Sequence, residues 1–171
     1  EQLRSIPTEE NPLKSNFSNS LVLNEQSLFF LNTYGSIYST NYNGDIGWFL
    51  NVNRSVDSKS NTLFNSNPII IHKDKLIIAT YTSLFIMNAN NGSLIKKIAI
   101  SSIVKPIVSN QHLFVITNKN LLVSINLNSG KIVYSIDIDQ EIASFLDTKK
   151  KSVEIKKIFL INGDLYIFLN N

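Results

Sequence analysis

Leu84-Phe85-Ile86-Met87-Asn88-Ala89-Asn90-Asn91-Gly92-Ser93-Leu94-Ile95-Lys96-Lys97-Ile98 and Leu121-Leu122-Val123-Ser124-Ile125-Asn126-Leu127-Asn128-Ser129-Gly130-Lys131-Ile132-Val133-Tyr134-Ser135-Ile136 decide the fold. Each is two short apolar runs around an Asn-x-x-x-Gly turn, and the two turn glycines stand 38 residues apart. Upstream of each lies another apolar run, Lys75–Thr80 and His112–Thr117, and before that a proline that opens a further one, Pro68 and Pro106, again 38 apart. A period of that length, built from runs rich in Ile, Val, Leu and Phe and punctuated by Asn, Gly and Ser, reads as four strands joined by tight turns. Proline is tolerated at the mouth of a strand because the first residue need not donate to the ladder.

Working outward, an earlier copy runs Ser27–Leu31, Ser36–Thr40, Asn41-Tyr42-Asn43-Gly44 and Ile46–Leu50. Gly44 precedes Gly92 by 48 residues, and the extra length falls in the polar stretch Asn53–Asn67, which reads as a loop insertion. A fourth copy begins at Val153–Ile161 and Asp164–Leu169 and supplies two strands. The Asn-Gly pairs at 43–44, 91–92 and 162–163 are expected in turns with positive φ at both central residues. Helical spacing is nearly absent, with one short turn of helix conceivable within Glu141–Ser152. A barrel or a sandwich does not require Gly, Pro and turns to recur in phase, whereas a β-propeller blade does.

The expected architecture is therefore all-β: a β-propeller of four-stranded antiparallel blades at about 18–53, 64–101 and 102–139, with a partial fourth at 153–171 forming an open arc. Residues 1–17, with Pro7 and Pro12, read as a linker or tail. Position 1 is Glu and not Met, so an upstream segment is expected to have been removed or left out.

Composition narrows the chemistry. Of 171 residues, 43% are hydrophobic and 17% charged, enough to bury a core. The 23 Asn and 24 Ile against 4 Ala mark a biased composition, so an isolated Asn carries little information. Cysteine is absent, which excludes disulfides, thiol catalysis and zinc-thiolate sites. A net charge of +3 without basic clusters interleaved with aromatics argues against nucleic acid. No apolar run is long enough to span a bilayer as a helix.

Motif chemistry is sparse. His72 and His112 sit at non-equivalent points of their repeats and read as strand-end residues. No P-loop, nucleophile elbow or His-x-x-x-His occurs. Asp137-Ile138-Asp139-Gln140-Glu141 is the one acidic cluster and reads as a solvated strand end, since it lacks the turn glycine and further oxygen ligands of a calcium loop. Lys149-Lys150-Lys151 with Lys156 and Lys157 is the one basic cluster, and reads as an exposed loop kept soluble by charge. Tyr34, Tyr42 and Tyr81 near turns are either contact residues or strand-end aromatics.

The recurring element resembles the PQQ-type propeller repeat, whose blades carry a pattern like Gly-x-Leu-Tyr-Ala-Leu-Asp-x-x-Thr-Gly-Lys-x-x-Trp. Gly35-Ser36-Ile37-Tyr38 followed by Gly44-Asp45-Ile46-Gly47-Trp48 is the best copy here, and Asn88 and Asn126 stand where that family usually has Asp. The residue four after the turn glycine is Trp48, Lys96 and Tyr134 in successive copies. The resemblance implies that an aromatic there docks between neighbouring blades. It makes Gly44, Trp48, Gly92, Gly130 and Tyr134 the structural repeat positions, with Lys96 a charged residue unable to fill that slot. The same repeat builds quinoprotein dehydrogenases, propellers of the BamB type that support outer-membrane protein assembly, and sensor or attachment modules. It therefore implies a non-catalytic, protein-binding scaffold of the bacterial periplasm or cell envelope, with no cofactor and no catalytic or metal residues. A homodimer through open propeller edges is expected, and a fragment of a PQQ-dependent oxidoreductase is the rival reading.

Overall fold

The computed structural model describes residues 19–53 and 63–170. The tail expected at 1–17 and most of the expected insertion at 53–67 lie outside them. The described chain is almost entirely β, in successive antiparallel sheets whose strands follow one another in sequence order. The first sheet comprises β1 (Leu21–Leu23), β2 (Leu28–Leu31), β3 (Ser36–Thr40) and β4 (Ile46–Asn51). The second comprises β5 (Ile70–His72), β6 (Lys75–Ala79), β7 (Leu84–Asn88) and β8 (Leu94–Ile98). The third comprises β9 (Ile107–Ser109), β10 (His112–Ile116), β11 (Leu121–Asn126) and β12 (Ile132–Asp137). Helix α1 (Ile138–Phe145) leads to a two-stranded sheet of β13 (Ile155–Ile161) and β14 (Asp164–Leu169). Three four-stranded sheets and a strand pair are the pattern of three propeller blades and part of a fourth, and no sheet closes on itself.

Burial within each sheet rises toward the third strand and collapses at the fourth. Every residue of β3 is buried, as are Leu84–Met87 of β7 and Leu122–Ile125 of β11. Leu84–Met87 is the unbroken apolar run expected of a strand covered on both faces, whereas β3 buries Ser36, Ser39 and Thr40 and β11 buries Ser124. The fourth strands β4, β8 and β12 are largely exposed. The chain divides into two compact units, residues 1–78 with 86–95, and residues 79–85 with 96–171. In the first, Phe29, Leu31, Ile37, Val52, Leu76 and Ile77 are all buried. In the second, Val104, Ile116, Leu122, Ile138, Ile155 and Ile158 form a cluster flanked by Phe114, Ile142, Leu165 and Ile167.

The turns show how different residues produce one geometry. Between the third and fourth strands, Asn88 accepts from the N–H groups of Asn90 and Asn91, and Asn126 from those of Asn128 and Ser129. These side-chain bonds preform the bend. It closes with Gly92 N–H on Asn88 O and Gly130 N–H on Asn126 O, at φ of +71° and +65°. Only at Asn162–Gly163 are both central residues at positive φ, +53° and +92°. At 43–44 and 91–92 the glycine alone has positive φ, which corrects the expectation for those two pairs. The loops there are longer than two residues, so the glycine closes an ordinary turn and need not continue one.

Helix α1 begins three residues earlier than Glu141. Asp137 caps it, its carboxylate accepting from Gln140 N–H at 3.0 Å, and Leu146 N–H closes its other end on Ile142 O. Asp139, expected in solvent, is buried instead. Its Oδ1 accepts from Asn120 Nδ2 at 2.9 Å and from Val153 N–H at 3.0 Å, while Asn120 Nδ2 also donates to Val153 O at 2.7 Å. The helix is thus bolted between β11 and the approach to β13. Asp139→Ala would leave the Val153 N–H without its acceptor and take one of the acceptors from the Asn120 amide, at a cost of about 1–3 kcal/mol. Chemical denaturation should show a loss of that size; a loss within experimental error would mean that the Asn120–Asp139 clamp does not hold α1.

Candidate interaction surface

The fourth strands carry the residues singled out by the repeat. Trp48, on β4, is half-buried and lies against Gly92, where a Cβ would come within 2.6 Å of the indole Cδ2. Its Nε1 donates to Ala89 O at 3.0 Å, and its ring sits 5.9 Å from that of Phe29. An indole stacked on a bare peptide, with its N–H satisfied by a carbonyl, uses both halves of its amphipathic chemistry. Lys96, the next in the series, lies against Gly130 in the same way, with its Cγ 2.8 Å from where a Cβ would stand. The expectation that lysine cannot fill this slot is overturned. The four-carbon stem covers the glycine while the ammonium stays in water. Tyr134, third in the series, is 42% exposed. Gly44 has a φ of +81° and its N–H bonds Asn41 O.

The remaining sequence candidates are structural or exposed. His112 Nδ1 lies 3.2 Å from Ser124 Oγ on the adjacent strand, and His72 Nε2 is buried without a partner. Tyr34, Tyr42 and Tyr81 are exposed, Tyr42 donating its hydroxyl to Asn24 O. Among the described residues no three His, Cys, Asp or Glu side chains come together as a metal site.

Two regions of the second unit stand out among the described residues. On the strand pair, Phe159, Ile161, Tyr166 and Phe168 are exposed, with Phe159 and Phe168 edge to face at 5.1 Å. Beneath α1 lies a groove of about 510 Å³ lined by Ile142, Ala143, Leu146, Val153, Thr148, Lys149 and Lys151, with the buried Asp139 at its base. Asp137 binds the Lys150 ammonium, and that bond, followed by the Gln140 N–H, holds its carboxyl below its ordinary 3.8. This contribution to the helix start is present above the ordinary carboxylate range and is lost as pH falls through the lowered value. Asp137, which reads in sequence as part of a solvated strand end, is instead the helix cap; its spacing to Gln140 is the one local signal for that. The Asn120 partner of Asp139, 19 residues away, has no such signal.

Scans against protein-family models and against curated proteins find no match. Solved structures do match. The crystal structure of BamB from Moraxella catarrhalis superposes with a TM-score of 0.62 at 14% identity, over 89% of this chain and 43% of that one. A europium-containing methanol dehydrogenase gives 0.54 at 12% identity, over 69% and 24%. The Pan2 WD40 domain of Neurospora crassa gives 0.50 at 14% identity, over 70% and 36%. The chain thus has a β-propeller fold and spans less than half the length of each of these structures. Among its described residues no helix is long and apolar enough to cross a membrane.

The glycine contacts predict an ordered series of stabilities. Gly92→Ala forces a Cβ into a large ring that is itself tethered, and should cost about 3 kcal/mol, whereas Gly130→Ala meets a lysine stem that can swing aside and should cost about 1 kcal/mol of backbone strain. Trp48→Ala should lose about 2–4 kcal/mol, Lys96→Ala about 0.5–1 kcal/mol and Tyr134→Ala less still. Urea melts of the five variants check the order. Equal losses at Gly92 and Gly130 would show that the side chain above each glycine is irrelevant.

Proposed function

We propose that this chain is a non-catalytic, protein-binding propeller scaffold of the BamB type, acting in the cell envelope in support of outer-membrane protein assembly. One observation carries the reading: the strand pair of β13 and β14 presents Phe159, Ile161, Tyr166 and Phe168 to solvent. An exposed aromatic face of this kind suits the alternate apolar side chains of an extended partner segment. The fold-level likeness to BamB agrees with this use of the surface. The rival, part of a PQQ-dependent oxidoreductase, rests on the likeness to a methanol dehydrogenase.

The two readings separate in solution. A fluorescein-labelled peptide with the alternating pattern of an outer-membrane β-strand should raise its anisotropy on titration with the chain, and Tyr166→Lys with Phe168→Lys should abolish the rise. Addition of PQQ with calcium should leave the absorbance spectrum the simple sum of its parts. Stoichiometric quinone binding, with no peptide binding, would replace the scaffold by the oxidoreductase reading.

Without such a segment the same face serves a second copy, giving a two-fold dimer through self-complementary apolar surfaces. Light scattering across a concentration series should therefore show a dimer that the Tyr166→Lys, Phe168→Lys variant reduces to monomer. A wild-type monomer at the highest concentration would rule the dimer out.

A further inference from the structure

The segment from α1 to β13 carries a combination that the scaffold reading does not use. Helix α1 ends on Phe145 and Leu146, which are 89% and 57% exposed. They are not on a loose loop. Asp147 adopts a φ of +51°, Leu146 N–H bonds Ile142 O, and Thr148 N–H reaches back to Ala143 O at 3.0 Å, a closed helix terminus. At its other side the helix is fixed through Asp139 to Asn120 and Val153. Two large apolar side chains are thus held rigidly in water, where their exposure is unfavourable.

Lys149, Lys150 and Lys151 follow directly in the chain, with Lys156 and Lys157 on β13, all exposed. Against these five cations residues 144–157 hold two carboxylates, Asp147 and Glu154, so the segment carries 5 − 2 = +3, as much as the whole chain. Lys150 is partly committed to Asp137. Lys149 and Lys151 rim the groove beneath the helix. We infer that this tip is a docking element for an anionic lipid bilayer, with Phe145 and Leu146 entering the interface and the lysines meeting headgroup phosphates.

Apolar side chains beside a lysine cluster are the two features that interfacial binding combines, buried area and attraction to anionic lipid. An acidic polypeptide is the competing occupant. It would lie in the groove, which Phe145 does not line, and would leave the most exposed side chain of the segment uncovered. A bilayer covers Phe145 and Leu146 together. Lysine is also a compact point charge suited to phosphate, whereas paired recognition of carboxylates favours arginine, and this segment has none.

Co-sedimentation of the full chain with vesicles tests the inference. Binding to phosphatidylglycerol-containing vesicles is expected at low ionic strength, with little binding to phosphatidylcholine alone and steep loss in high salt. Lys149→Glu with Lys151→Glu should weaken it by roughly tenfold or more, on the scale of surface lysines near anionic lipid. Phe145→Ser with Leu146→Ser should weaken it comparably, with an unchanged melting curve because both side chains are exposed. In Phe145→Trp, the difference spectrum against wild type should shift to the blue and be quenched by bromine-labelled acyl chains. Equal binding to neutral vesicles, or none to anionic ones, would overturn the assignment. So would capture of soluble poly-glutamate at the same lysines with the new tryptophan unquenched, which would hand the site to an acidic polypeptide.

Discussion

A glycine turn that leaves a peptide face bare, so that a side chain from another strand can lie on it, is the contact on which the repeat rests. Asn88 and Asn126 bend the chain with their side-chain carbonyls, and Gly92 and Gly130 then take a conformation in which an L side chain would be strained. The strain argument alone would explain glycine. The neighbours add a second reason: at Gly92 a Cβ would occupy the space of the Trp48 indole, and at Gly130 that of the Lys96 stem. Backbone conformation and packing thus select the same residue, which is why the glycine persists through copies whose covering residue changes.

That change is informative about what the slot demands. Trp48 adds a directed bond from its indole N–H to Ala89 O, so it fixes orientation as well as filling space. Lys96 contributes methylenes only. The bare peptide is a flat apolar surface, and length matters there more than aromatic character. Reading charge as a disqualification missed the stem. The error was to weigh the residue by its head group when burial is decided atom by atom.

The sheets were legible because strand runs, turn residues and period all repeat, and each repetition supports the others. The turn subtype was less so: Asn43–Gly44, Asn91–Gly92 and Asn162–Gly163 look alike, yet only the last stands as a two-residue connection with both residues at positive φ. Loop length, set by strand register, decides that. Helix α1 was poorly legible because it occurs once, between two repeats, with no second copy to align. Asp139 looked solvated in the sequence since its partner Asn120 lies on the far side of β11 and β12. Pairs of that kind exist only after the sheet has formed.

The treatment of the final strand pair follows from how exposed edges are normally handled. Natural sheets blunt a free edge with lysine, proline or a bulge. Lys156 and Lys157 stand at the start of β13, flanking its apolar run Ile158–Ile161, and a register irregularity sits between Ile155 and Lys157. β14 has neither device along Leu165–Leu169, and its one charge, Asp164, lies at the turn. Its exposed side chains are aromatic where a guarded edge would carry charge. Tyr166 and Phe168 are exposed where a single lysine would add solubility. Aromatics at both positions are the arrangement expected of a face that meets a partner.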